Sequence, residues 1–147
     1  MLKELGLINA QQLWLDEVSR SKGVLITQYL VQGEEHIEEP NLLLNKLICG
    51  MEFEETLENK LILTDKEKHL CNELLEAVIS HWPALKNTSI DGLRNSFLYR
   101  RGKLVLDFDS NQLLVEQKAW DVLMAQLPWG VGVVKTPWMK KLLHVNW

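Results

Sequence analysis

Residues 104–115, Leu104-Val105-Leu106-Asp107-Phe108-Asp109-Ser110-Asn111-Gln112-Leu113-Leu114-Val115, decide the fold class. Upstream of them the apolar positions recur every three or four residues, as on helices. Here the period becomes two. Leu104, Leu106 and Phe108 alternate with Val105, Asp107 and Asp109, Ser110-Asn111 supplies a turn, and Leu113 and Val115 return on a second strand. A hairpin that follows helices predicts an α+β chain: N-terminal helices, then a small, mostly antiparallel sheet with a packed helix.

On the C-terminal side, residues from about Lys118 to Gln126 read as a helix leading to Leu127-Pro128-Trp129-Gly130. Val131 to Val134 and Leu142 to Trp147 read as short strands joined through Thr136-Pro137-Trp138. On the N-terminal side, Ser89 is placed to cap a helix carrying Leu93, Phe97 and Leu98, with Gly102 past its end. Thr64 and Glu67 form a capping-box pattern ahead of the stripe Leu70, Leu74, Leu75, Val78, Ile79 and Trp82, which Pro83 stops. Met51 to Asn59 has no clean period and reads as a loop. Pro40 suits the start of a helix over Asn41 to Ile48 closed by Gly50, and Glu34 to Pro40 reads as an acidic connector. Leu2 to Gly33 reads as helical, with Asn9 as an N-cap, a break near Ser21 to Gly23, and Gly33 as the stop. A length of 147 residues predicts one domain, 1–147, with a helical part over 1–50 and an α+β core over 60–147.

Composition narrows the function classes. With 16 Lys+Arg against 20 Asp+Glu, the chain lacks the basic excess that drives phosphate binding, so nucleic-acid partners are not expected. No apolar run reaches the ~20 residues of a membrane span, and the first residues do not read as a secretory signal. Cys49 and Cys71 have no CxxC or Cys/His spacing and read as reduced, buried thiols of a cytoplasmic chain.

Each candidate for chemistry has a plainer reading. Asp107 and Asp109 fall on one strand face and, with Glu116, could serve as acid/base groups; the plainer reading is the solvent face of a hairpin whose apolar face is Leu104, Leu106 and Phe108. His36, His69, His81 and His144 show no metal-ligand spacing. Ser89 and Ser96 have no nucleophile elbow around them. Gly130 and Gly132 lack the setting of a phosphate cradle and read as a tight turn. Arg94, Arg100 and Arg101 sit where a helix C-terminus favours positive charge, and Tyr99 alone adds little to a nucleic-acid reading. No catalytic, cofactor or metal residue is assigned, and the chain reads as a non-enzyme.

Six tryptophans are the unusual feature: Trp14, Trp82, Trp120, Trp129, Trp138 and Trp147. Trp82 and Trp120 read as core. Trp147 would be exposed by fraying unless the last strand pairs into the sheet, the favoured reading, or the terminus meets another subunit. Trp138 follows Pro137 in an expected exposed turn and is the better anchor for a partner. Trp129, Trp138, Met139 and Trp147 are the interface candidates.

Specific words also accumulate. Asn45-Lys46-Leu47-Ile48-Cys49-Gly50, His81-Trp82-Pro83-Ala84-Leu85-Lys86-Asn87-Thr88-Ser89, Gly92-Leu93-Arg94 with Phe97-Leu98, Arg101-Gly102-Lys103-Leu104, Leu127-Pro128-Trp129-Gly130, Pro137-Trp138-Met139 and Val145-Asn146-Trp147 stand in this order. Together they resemble the C-terminal region of the tape measure proteins of contractile injection systems, the phage-tail-like particles of bacteria. The resemblance implies a structural role inside a tube, with tube, baseplate-hub or cap proteins as partners, no cofactor, and no catalytic residues. It also allows a homo-oligomer within the particle, assembly in the cytoplasm, and release with the particle. The rival reading is a transient assembly chaperone or adaptor. As one unbroken helix the chain would span only about 220 Å, and Pro40, Pro83, Pro128 and Pro137 forbid that. It is therefore expected to be the globular end of a ruler, an excised piece of one, or a short relative.

Overall fold

The structure, a computed structural model, describes residues 1–34, 38–58, 61–85 and 87–147. Contacts group them into two compact units. One comprises Met1–Leu74 with Thr136–Lys140; the other comprises Leu75–Lys135 with Lys141–Trp147. The chain is α+β, with helices first and a four-stranded sheet at the end.

In the first unit, helix α1 spans Glu17–Gln32. Its cap is Asp16, not Asn9: the Asp16 carboxylate accepts the Ser19 N–H at 2.7 Å, which pulls its pKa below the usual carboxylate value. Asn9 instead holds a turn, accepting the N–H groups of Gln11 and Leu13. Residues 1–16 are therefore turns rather than helix, tied by an isolated bridge between Ile8 and Trp14. The expected break at Ser21–Gly23 is absent, because Ser21 and Gly23 are buried in the middle of α1. Gly33 stops the helix as expected, with φ 76° and its N–H on the Tyr29 carbonyl. A 3₁₀ turn over Glu39–Leu42, with Pro40 in its first turn, leads into α2, Leu43–Ile48. Gly50, at φ 68°, closes α2. The part of the acidic connector at residues 35–37, including His36, lies outside the described residues.

Among the described residues, two apolar clusters hold this unit. Leu7, Leu25, Ile26, Leu63 and Cys71 form one; Val24, Leu42, Cys49 and Met51 form the other, with Trp14 packed against it. Helix α3, Asp65–His81, starts at the predicted box: Thr64 N–H donates to the Glu67 carboxylate at 2.7 Å, and Glu67 N–H returns to Thr64 Oγ1 at 3.3 Å. Burial pushes the Glu67 pKa up, but the Lys22 ammonium at 2.6 Å and the Thr64 donors outweigh it, so the net shift is downward.

In the second unit α3 stops at His81, ahead of Pro83, which begins a 3₁₀ turn over Pro83–Leu85. Ser89 caps α4, Ile90–Leu93, accepting the Gly92 N–H at 3.0 Å, and a π-helical turn over Arg94–Leu98 continues it. Gly102 is not a helix terminator. It is the first residue of β1, Gly102–Leu106, which pairs antiparallel with β2, Asn111–Val115. Residues 119–126 form a 3₁₀ helix with no buried residue, in place of the expected packed helix. Strand β3 is Val133–Val134 and β4 is Leu143–Asn146. The order is β1-β2-β4-β3, with β2 and β4 parallel and both outer pairs antiparallel.

The hairpin departs from its expected apolar face. Leu104, Leu113 and Leu143 share one side of the sheet, and Leu143 is buried. Leu106, at the strand end, is 54% exposed, and Phe108, beyond the strand, is 88% exposed. Asp107 and Asp109 also lie in the connection rather than on a strand face. Asp107 folds back to accept the Phe108 N–H at 2.6 Å.

Candidate interaction surface

The tryptophans divide by what their indole N–H groups meet. A helix leaves its last carbonyls unpaired, and at the end of α2 three side chains supply donors. Trp138 Nε1 donates to the Ile48 carbonyl at 2.6 Å, Thr136 Oγ1 to the same oxygen at 3.0 Å, and Trp14 Nε1 to the Cys49 carbonyl at 2.9 Å. The two rings pack at 4.3 Å between centroids and 38° between planes. Gly23 and Gly50 make room for them: a Cβ on Gly23 would stand 2.3 Å from the Trp14 ring, and one on Gly50 would stand 2.6 Å from the Trp138 carbonyl oxygen. Lys140 and Glu52 form an exposed ion pair on the same segment. Trp138 is thus half-buried, although its turn was expected to be exposed. Met139 is buried, and its Sδ accepts the Thr136 N–H at 3.4 Å, so within its own unit its side chain offers no free surface.

In the second unit Trp82 is buried as expected. Its ring meets Phe97 at 4.6 Å, and its Nε1 donates to the Leu123 carbonyl at 3.2 Å. Trp120, expected in the core, is 42% exposed, and its Nε1 donates to the Ser96 carbonyl at 2.9 Å. Trp147 docks on its own unit. The Arg100 guanidinium carbon lies 5.8 Å from the ring centroid, and Gln117 Nε2 donates to the Trp147 carbonyl at 3.0 Å. Trp129 is also 42% exposed.

Arg100 organises this region, a role that spacing alone does not signal. Its guanidinium bonds both Asp121 carboxylate oxygens, at 2.9 and 2.7 Å, and the carbonyls of Ser96 and Glu116. The Arg100 bond lowers the Asp121 pKa, aided by the Lys118 N–H. The Ser96 bond agrees with the helix-terminus reading of the basic cluster. Arg94 is buried and pairs with Asp91, whereas Arg101 is exposed.

The remaining candidates do not converge. Asp107, Asp109 and Glu116 are exposed, and Glu116 pairs with Lys118. An open groove beside α3 is lined by Glu76, Ile79, Ser80, Thr88, Ser89 and Asp91, and does not include those carboxylates. Among the described residues no three His, Cys, Asp or Glu side chains are grouped to hold a metal. His69 meets Glu73, and His81 meets the Ala77 carbonyl. Nothing lies within 4 Å of a Cβ built on Gly130 or Gly132, and the Gly132 carbonyl accepts the Val145 N–H at 2.8 Å. Burial pushes the Cys49 thiol up to about 12, and Cys71 is fully buried. Among the described residues no helix is long and apolar enough to cross a membrane.

What the fold and these side chains define is an α+β protein with tryptophans of two kinds, those bonded inside their unit and those left exposed. A family model described as contractile injection system tape measure protein matches residues 1–147, and the chain belongs to that family. No curated protein and no solved structure matches the chain.

Proposed function

We propose that the chain is a non-catalytic structural and assembly module of its particle, binding tube, baseplate-hub or cap proteins through its C-terminal surface. Family membership over residues 1–147 supports the particle context. The observation that carries the surface assignment is Trp129, an exposed indole in a neighbourhood of sequence where Val133 is also exposed. Large aromatics left in water are the usual anchors of protein contacts. Of the other candidates, Trp138 and Met139 shape their own unit, and Trp147 joins the surface only by its partly exposed ring. Assembly takes place in the cytoplasm of a bacterial host in this reading.

The test is recovery of tagged chain with particle proteins. Trp129→Ser, at an exposed indole, reduces recovery roughly tenfold or more, as expected for a contact residue worth more than ~1.4 kcal/mol. Full recovery of the folded variant removes Trp129 from the interface. Mass spectrometry of finished particles tests the role itself: presence fits a structural module, while absence converts the reading to an adaptor that departs before maturation.

A further inference from the structure

We propose that β1 is a self-pairing edge, through which two copies of this chain join their sheets antiparallel about Leu104. Strand β1 stands at one end of the sheet order, so its side away from β2 has no strand partner among the described residues. Glu116 N–H donates to the Arg101 carbonyl at 2.8 Å, in the register that pairs Gly102 with Val115. Antiparallel ladders alternate, so Lys103 and Val105 also exchange bonds with β2, whereas Gly102, Leu104 and Leu106 turn their N–H and C=O groups outward. A second β1 can meet that outward set in full in one arrangement. Leu104 lies opposite Leu104 of the second copy, and Gly102 lies opposite Leu106.

The charges select this arrangement. Reading Arg101-Gly102-Lys103-Leu104-Val105-Leu106-Asp107, positive charge precedes the strand and negative charge follows it. Antiparallel pairing about Leu104 sets Arg101 against Asp107 of the second copy, twice by symmetry, and places Lys103 opposite Val105. Parallel pairing would instead oppose like charges, which is unfavourable. A lysine within an edge strand ordinarily blocks such pairing. In this register the two Lys103 side chains are not directly opposed. Leu106, now 54% exposed, gains cover beside Gly102 of the other copy, where Leu113 leans across the missing side chain at 3.1 Å from a built Cβ. One strand pair is a small interface, in the range of weak association. The proposal is independent of the particle-binding surface argued above.

Sedimentation of the whole chain, raised to on the order of 500 µM at low salt, tests it, with a weak dimer expected. Leu104→Pro leaves the β2 ladder intact, because the lost N–H faces outward, and abolishes the dimer. Arg101→Asp or Asp107→Arg alone each weaken it about tenfold, since two favourable pairs become repulsive. The double reversal returns it to within about threefold of wild type. Circular dichroism confirms that each variant is folded, and the double reversal keeps the test decisive if Leu104→Pro unfolds. A chain monomeric throughout overturns the proposal. So does a dimer indifferent to the single reversals, or one that the double reversal fails to restore.

Discussion

The end of α2 and the tip of the β1–β2 hairpin treat large apolar side chains in opposite ways. At the first, Trp14 and Trp138 are drawn in, and each indole N–H closes a carbonyl that the helix leaves unpaired. At the second, Phe108 stands in water and Leu106 is half covered. The difference lies in what the backbone offers. A helix terminus presents acceptors that a long side chain can satisfy from outside the helix. A strand edge presents a row of donors and acceptors that stay in water unless a further strand pairs with them. An aromatic ring near the first is therefore an internal staple, whereas the apolar groups near the second stay exposed within this chain.

That contrast can be broken most forcefully at Gly50. Gly50→Val introduces a Cβ into the space of the Trp138 carbonyl at a positive φ. It should cost about 3 kcal/mol or more, combining left-handed strain with overpacking. Chemical denaturation measures this, and loss of the Trp138 fluorescence environment locates it. A cost below 1 kcal/mol would mean that the Trp138 segment is only loosely seated.

Asp121→Asn should cost about 1–3 kcal/mol, because Arg100 then loses a charged acceptor in a largely buried site. Its pH dependence carries a sign. The Asp121 pKa is depressed in the folded chain, so its contribution is present above the ordinary carboxylate pKa and fades as pH falls through the lower folded value. Wild type and variant should therefore converge in acid. Equal stability at neutral pH would show that Arg100 is held by the Ser96 and Glu116 carbonyls alone. The smallest effect belongs to Phe108→Ser, within about 0.5 kcal/mol in the isolated chain, as expected of an exposed side chain. A larger loss in thermal unfolding would reveal packing that its exposure conceals.

The parts of this molecule legible in its sequence are those fixed within a turn or two of chain. Thr64 with Glu67, Ser89, Gly33 and Pro83 act on backbone within four residues, and each ends or begins an element where its chemistry predicts. The hairpin is local as well. Its buried side is not, because Leu106 and Phe108 have the right alternation but no layer above them. Residues 1–16 carry helical spacing, yet Asp16 outcompetes Asn9 as a cap, and Trp14 is held by a carbonyl 35 positions away. The parallel β2–β4 pairing and the Arg100–Asp121 bond likewise join distant segments, which no periodicity encodes. The sequence singled out the tryptophans, and the structure divides them by burial and by what their indole N–H groups meet. Their spacing gave no means of telling Trp138, which faces Ile48, from Trp129, which faces water.

The bonds from Thr136 and Trp138 to Ile48 reach back 88 and 90 residues along the chain. A ribosome delivers residue 48 long before residue 138. During that interval the last carbonyls of α2 must be satisfied by solvent or a chaperone, and the first unit stays unfinished until its final strand-linking loop emerges. Stalling before Thr136 should therefore leave the nascent first unit more open to proteases than the released chain.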